Sequence, residues 1–211
     1  MHFLAFAGRV IQQIISHKLE RHEIGDPWRE VGRNIQYQTL GNASRHSFDW
    51  YFEGQSKVNV TNIAQVQNWL LSCTYKPDLE LFNEADFWQH PITFENLRKG
   101  DCDDHAIWAW RKLVEIGVQA HLYIGKLASS EPLYAGWDIP QAHLGHAWVI
   151  IDEPSHQVLF EATAKKRNAM LKPLGEVKEH YVPYFSVAPT HAITAYAGWF
   201  LGCLDNAKFQ P

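Results

Sequence analysis

The segment Lys99-Gly-Asp-Cys-Asp-Asp-His105, with the apolar-periodic run that follows it to Gly117, decides the expected fold. Gly100 and Asp101 are typical of the residues that precede a helix, and Gly117 is typical of a helix end. The side chains that repeat at the three-and-four spacing of one helical face are Ala106, Ile107, Trp110, Leu113 and Val114. The pattern therefore predicts a helix whose first turn carries Cys102.

A cysteine at the start of a helix is a candidate nucleophile. Unpaired main-chain N–H groups and the helix dipole favour an anion there, so the thiol of Cys102 is expected to ionise more easily. The alternative is a buried structural cysteine. Asp101, Asp103 and Asp104 surround the thiol and would oppose the thiolate by like-charge repulsion. A bound hard cation, or hydrogen bonds to buried carboxylates, would relieve that repulsion.

The composition indicates one soluble globular domain, predicted over 1–211 with a catalytic core at about 60–190. Of the 211 residues, 46% are hydrophobic and 20% charged. The net charge is −4 and no lysine/arginine block occurs, which argues against nucleic-acid binding. No stretch resembles a membrane span or a signal peptide, so the cytoplasm is the expected location. Three widely spaced cysteines argue against a disulfide framework and a zinc site.

Periodicity predicts the other elements of the chain. Helices are expected over 3–19 and 61–73, the second with Cys73 in the core, and an apolar element over 192–204. The segment 74–98 is expected to be an extended connection, and 165–172 a solvated basic stretch. Strands are expected over 118–127, 146–152, 157–163 and 181–187, with a long loop at 128–145.

A hairpin brings a histidine and an acid to one face of the sheet. If Asp152 pairs with Gln157, then Glu161 lies on the face of His146 as a diagonal neighbour, within reach of the imidazole. Asp152 is a rival acid, but it lies six residues along the same strand, roughly 20 Å away. A thiol nucleophile needs an imidazole base, and the imidazole needs such an orienting partner. His105 is expected to face solvent on its helix, and His156 to lie at the surface.

Four spans, 86–94, 100–117, 145–151 and 160–163, resemble the transglutaminase-like superfamily, and most of all its bacterial cysteine peptidases. Shared motifs are D-x-W-x-x-P, G-D-C-[DE]-D-x-A, an H-A strand and an acid on the next strand. The resemblance implies an α+β, papain-like fold in which the catalytic helix packs on an antiparallel sheet, here with extra N- and C-terminal helices. It implies Cys102 as nucleophile, His146 as base and Glu161 as orienting acid, although that acid is usually aspartate.

The same resemblance implies further site residues. The main-chain N–H of Cys102 and the indole N–H of Trp88 would bind the oxyanion. For Trp88 the alternative is a core aromatic. Some relatives are thought to bind calcium with acidic residues beside the cysteine, so Asp101 and Asp103 are candidate ligands, although no cofactor is required.

The expected function is a cysteine-dependent acyl-transfer enzyme, a peptidase or amide hydrolase that acts on a protein or peptide through a thioester. A transglutaminase or protein deamidase shares the first step and differs only in the acceptor. A catalytically inactive binding module of the same fold is the alternative from another class.

Overall fold

The structure is a computed structural model, and it describes residues 46–127 and 145–196. All of them belong to a contact unit that spans Tyr37–Pro211, whereas the unit Met1–Gln36 lies outside the described residues. The predicted helix over 3–19, most of the loop 128–145 and residues 197–204 of the predicted C-terminal element lie outside them too. The single domain over 1–211 therefore stays a prediction.

The described residues form six α-helices, eight strands and two 3₁₀ turns. The helices are α1 (Ile63–Leu71), α2 (Asp78–Leu81), α3 (Pro91–Leu97), α4 (Cys102–Glu115), α5 (Arg167–Met170) and α6 (Leu174–Val177). The strands are β1 (Thr74–Tyr75), β2 (Lys99–Gly100), β3 (Ala120–Leu127), β4 (Gly145–Asp152), β5 (Gln157–Phe160), β6 (Leu171–Pro173), β7 (Tyr181–Val187) and β8 (Ile193–Ala195). The 3₁₀ turns are Trp50–Phe52 and Lys178–His180.

A six-stranded antiparallel sheet is the platform of the fold, with the strand order β6-β5-β4-β3-β7-β8. Helix α4 packs on β3 and β4, and the indole N–H of Trp110 donates to the carbonyl of Ala120 at 3.0 Å. The face of α4 that periodicity predicted is buried at Ala106, Ile107, Trp110 and Leu113. The predicted α+β fold, with the cysteine helix on an antiparallel sheet, is confirmed.

The helix ends follow the local chemistry of the sequence. Asn62 caps α1 because its side-chain oxygen accepts the N–H of Gln65 at 3.0 Å. Helix α4 ends before Gly117, whose φ of 82° lies in the left-handed region that glycine adopts without steric cost. The predicted helix over 61–73 and the predicted cysteine helix are thus confirmed to within two residues at each end.

Two segments differ from their prediction because tertiary contacts order them. The connection 74–98 is not extended throughout, since it contains α2 and α3. Pro91 opens α3, and the imidazole Nδ1 of His90 accepts the N–H of Ile92 at 3.2 Å. The stretch 165–172 is not solvated throughout, because α5 buries Ala169 and Met170 and β6 pairs with β5.

His105 is the third difference. It is fully buried rather than solvent-facing, and its ring lies 4.8 Å from that of Phe94, between centroids. Its Nδ1 donates to the carbonyl of Asp101 at 2.7 Å, one helical turn back. This bond lets a polar side chain sit in the core, and burial lowers the pKa of His105 to about 3. The imidazole is therefore neutral.

No helix among the described residues is long and apolar enough to cross a membrane.

Candidate active site

The turn that begins α4 is held by a carboxylate inside the helix. Asp104 Oδ2 accepts the main-chain N–H of Asp101 at 3.2 Å, which is one half of a capping box. Asp104 Oδ1 accepts the N–H of Gln89 at 2.8 Å and so ties the preceding segment to the helix. A Cβ at Gly100 would lie 2.2 Å from Asp104 Oδ2, so only glycine fits there. The Gly-Asp-Cys-Asp-Asp motif thereby places Cys102 at the first helical position.

The sulfur of Cys102 lies against the open side of β4. The N–H of Asp152 donates to the carbonyl of Gln119, on the β3 side of the strand. Successive residues of a strand direct their main-chain N–H and C=O groups to opposite sides. Gly145 and Ala147 therefore direct their main-chain groups toward the β5 side, where β5 has already ended. The Cys102 Sγ lies there, 4.0 Å from the carbonyl oxygen of Gly145 and beside the N–H of Ala147. These two residues flank His146.

The surroundings of Cys102 disfavour its thiolate. Burial is the largest cause that raises the pKa of the Cys102 thiol well above its ordinary value, and the carboxylate of Asp101 raises it further. The N–H of Ala147 acts in the opposite direction. Burial and Asp101 thus act against the easier ionisation expected at a helix start, and the expected repulsion by neighbouring aspartates is present.

His146 and Glu161 form a buried pair. The Nε2 atom of His146 lies 2.9 Å from Oε2 of Glu161, and the side chains are 4% and 0% exposed. Three more groups donate to the carboxylate: the hydroxyl of Tyr181 to Oε2 at 3.1 Å, and the hydroxyl and N–H of Thr163 to Oε1 at 2.6 and 3.2 Å. Each oxygen of Glu161 thus accepts two hydrogen bonds.

This coordination keeps Glu161 ionised inside the protein. Burial raises the pKa of Glu161, but the charge and hydrogen bond of His146 and the donors of Thr163 outweigh it, and the net pKa is lowered. An ionised carboxylate accepts hydrogen bonds only, so Nε2 of His146 carries the proton that lies between them. In its neutral form the imidazole of His146 is therefore the Nε2–H tautomer.

The hairpin register that placed Glu161 beside His146 is confirmed. Asp152 pairs with Gln157 and Val149 with Phe160. The strand stops at Phe160 instead of continuing to Thr163, because the chain turns and Ala164 bonds back to Glu161. Asp152, the rival acid, contacts Nε2 of His121 at 3.0 Å and lies at the far end of β4.

Trp88, the second predicted oxyanion donor, lies in the core and is 3% exposed. Its indole N–H donates to Asp86 Oδ1 at 3.1 Å. The donor is thus directed at the acidic side of the site in this structure, and its role toward an oxyanion stays a prediction.

A cluster of five aspartates lies beside the cysteine. Among the described residues, carboxylate oxygens come within 4.8 Å of one another in two groups. One group is Asp78, Asp101 and Asp104, and the other is Asp78, Asp86 and Asp103. Oxygens of Asp101 and Asp103 also lie within that distance of each other and of the Cys102 sulfur. Asp78 is 1% exposed and Asp103 5%. One oxygen on each of Asp78, Asp101 and Asp103 is buried without a hydrogen-bond partner.

These oxygens without hydrogen-bond partners leave the negative charge of the cluster uncompensated. Burial, followed by the neighbouring Asp101, raises the pKa of Asp78 to about 8. Burial and the other aspartates also raise the pKa of Asp103 well above its ordinary value. Sequence reasoning found Asp101 and Asp103 but missed Asp78 and Asp86, because nothing in their spacing shows that α2 and the following loop fold against α4.

Sequence reasoning also missed Thr163 and Tyr181. Thr163 could have been found, since it lies two residues after Glu161 in the same turn. Tyr181 could not, because it comes from another strand.

The sequence matches no family model and no curated protein. Among solved structures, Legionella pneumophila LapG is similar at 19% identity with a TM-score of 0.44, over 67% of this chain and 72% of that one. Calcium-bound LapG is similar at 20% identity and 0.41, over 58% and 61%. A TGase is similar at 17% identity and 0.33, over 47% of this chain and 25% of its own. At these identities and TM-scores the likeness fixes neither the family nor the activity of this chain.

Proposed function

We propose that the chain is a cysteine-dependent acyl-transfer enzyme, a peptidase or amide hydrolase that acts on a protein or peptide substrate. The observation that carries the proposal is the buried His146–Glu161 pair at 2.9 Å, on the strand against which the sulfur of Cys102 lies. A fully hydrogen-bonded carboxylate that fixes one imidazole tautomer is what a general base requires. The cytoplasm remains the compartment expected from the sequence.

The protein groups suffice for each proton transfer. With Nε2–H held by Glu161, the Nδ1 atom of His146 is the basic ring atom and takes the proton of the Cys102 thiol. The sulfur attacks the carbonyl carbon of the scissile amide, and the main-chain N–H of Cys102, at the helix start, stabilises the oxyanion. His146 then returns the proton to the leaving amine. Water, deprotonated by His146, then attacks the thioester carbon; the C–S bond breaks, the acid product leaves, and His146 returns the proton to the Cys102 sulfur.

We propose further that the five-aspartate cluster holds a divalent cation, with Ca²⁺ as the best fit. The three orphan carboxylate oxygens, on Asp78, Asp101 and Asp103, are hard ligands of the kind that Ca²⁺ takes. Asp86 lies at the same group, whereas Asp104 has both oxygens engaged in holding the turn. When bound, the ion supplies positive charge that offsets the carboxylates around Cys102. The calcium-bound state of LapG is in keeping with this choice.

The experiment that tests the catalytic proposal uses a peptidyl chloromethyl ketone, a probe that alkylates a nucleophilic thiol or its partner imidazole. The wild-type protein should be labelled once, at Cys102 or His146, and faster than at Cys73, which is 6% exposed. His146→Ala should remove this labelling. His156→Ala is the matched control, because His156 is exposed at the hairpin turn.

Turnover is read in parallel with casein and a mixed peptide library as substrates, by mass spectrometry of new amino termini. Cleavage by the wild type and its loss in Cys102→Ala are expected. Equal labelling of wild type and His146→Ala, or identical products from Cys102→Ala, would overturn the proposal.

A further inference from the structure

We infer that Tyr181 is a positioning residue of this active site, which acts by holding the carboxylate of Glu161 toward His146; the inference rests on the proposed function. Its hydroxyl donates to Glu161 Oε2 at 3.1 Å, the same oxygen that faces His146 Nε2 at 2.9 Å. Tyr181 is 5% exposed, so water does not compete freely for this contact.

The two oxygens of Glu161 are fixed from different parts of the chain. Oε1 is held locally by Thr163, two residues away, whereas Oε2 is held by Tyr181, which lies twenty residues along the chain. A carboxylate that is held at Oε1 alone can rotate about its last side-chain bonds, because those torsions are broad. The second, distant donor removes that freedom. Tyr181 therefore sets the direction of the hydrogen bond to His146.

The ring of Tyr181 is held in place by packing. It lies edge-on to Trp148, with centroids 5.0 Å apart, and 6.1 Å from the ring of His146. Trp148 in turn stacks parallel to His146 at 6.0 Å. These aromatic contacts fix the phenol and the imidazole relative to each other. They hold the hydroxyl of Tyr181 in the position from which it donates to Glu161.

A bulge in the sheet allows β7 to reach this position. Ile124 pairs with Phe185 but Gly125 with Pro183, so Tyr184 is an extra residue in β7. A Cβ at Gly125 would lie 2.1 Å from the carbonyl of Val182 and 2.8 Å from Cη2 of Trp148. Glycine is therefore required for the close approach of β7 and Trp148. A glycine and a proline inside two paired strands are the sequence signature of this bulge.

The test compares Tyr181→Phe with Tyr184→Phe, which removes a hydroxyl from the neighbouring bulge residue and is the matched control. The first readout is the downfield proton resonance of the His146 Nε2–H, assigned by its absence in His146→Ala. It needs no substrate, so it stands even if turnover is never found. Tyr181→Phe should move this resonance and speed its exchange with water, whereas Tyr184→Phe should leave it unchanged.

The second readout is steady-state kinetics. Tyr181→Phe should lower kcat about tenfold, the loss expected for one hydrogen bond to a charged group, with KM unchanged and the melting temperature near that of wild type. Replacing Tyr181 by 3-fluorotyrosine, a stronger donor of nearly the same shape, should move the proton resonance in the direction opposite to Tyr181→Phe.

A Tyr181→Phe spectrum identical to that of Tyr184→Phe would overturn the inference, as would a fluorotyrosine shift in the same direction as that of phenylalanine. Absence of Cys102-dependent turnover in the wild type, with the resonance behaving as expected, would instead refute the proposed function and leave the positioning role of Tyr181 standing.

Discussion

The charges of Glu161 and of the aspartate cluster both act on Cys102, and the protein treats these two sets of carboxylates in opposite ways. Glu161 accepts four hydrogen bonds, from His146, Tyr181 and two donors of Thr163, and its pKa is lowered although it is fully buried. In the aspartate cluster, Asp78, Asp101 and Asp103 each keep an oxygen without a partner, and their pKa values are raised.

The difference teaches that burial by itself does not decide the charge of a carboxylate. The donors do. Glu161 has enough protein donors to remain an anion, which is what its proposed role beside His146 requires. The aspartate cluster has too few, which costs free energy unless a proton or a cation supplies the missing positive charge. In the proposed function, Glu161 therefore acts with protein atoms alone, whereas the aspartate cluster takes a cation from solution.

The largest expected effect is on turnover when the satisfied carboxylate is changed. Glu161→Gln should lower kcat by about 10²–10⁴-fold, because the amide can no longer hold the Nε2–H tautomer of His146. Asp152→Asn, at the far end of the same strand, is the control and should change kcat little. Peptide cleavage kinetics on both variants measure this. A greater loss in Asp152→Asn would mean that the wrong acid has been chosen.

The next effect is on stability, and it comes from the unsatisfied cluster. Ca²⁺ at 100 times its Kd should stabilise the wild type by about 2.7 kcal/mol, which corresponds to a rise in melting temperature of about 5–10 °C. Thermal unfolding in EDTA and in Ca²⁺ measures it, with Mg²⁺ as comparison. Asp103→Asn should lose most of the shift, whereas Asp152→Asn should keep it. An equal shift in all three proteins, or none in the wild type, would refute the site.

A smaller effect is a change in the free energy of unfolding, which should have opposite signs for variants of the two regions. Without Ca²⁺, Asp103→Asn should raise the free energy of unfolding by about 1 kcal/mol, since it replaces a carboxyl whose charged form is disfavoured by burial and by the neighbouring aspartates. Glu161→Gln should lower that free energy by about 1–3 kcal/mol, since the amide turns a donor toward the donors that surround it. Denaturant unfolding of both variants in EDTA gives the values. Changes of the same sign would show that the two groups do not differ as described.

The pair of His146 and Glu161 could be predicted from the sequence, whereas Tyr181 and most of the aspartate cluster could not. His146 and Glu161 belong to one hairpin, so register alone brings them together. Asp101 and Asp103 flank Cys102 and were visible as well. Asp78, however, reaches the cluster only because α2 forms and folds against α4, and the segment 74–98 has no periodicity that predicts a helix.

Buried polar contacts explain the other failures. His105 looks like a surface residue because its type is polar, but it is buried with its Nδ1 bonded to the carbonyl of Asp101. Tyr181 reaches Glu161 across a bulge that involves Gly125 and Pro183, two residues that a strand pattern treats as irregularities. Long-range contacts of this kind leave no mark in the spacing of one segment.

The smallest expected effect concerns the step that follows acylation of Cys102. Hydrolysis and amine transfer begin with the same thioester on Cys102, so neither carboxylate group distinguishes them; the outcome depends on whether water or an amine reaches the thioester. Most of the long loop predicted at 128–145, which directly precedes His146, lies outside the described residues. The motifs of the chain resemble the peptidases most. We therefore expect cleavage or deamidation without appreciable incorporation of a labelled primary amine into glutamine-bearing proteins, with Cys102→Ala as the background. Cysteine-dependent incorporation faster than hydrolysis would instead establish a transglutaminase, and the comparison of the two carboxylate groups would then describe how its thioester is formed rather than how it is hydrolysed.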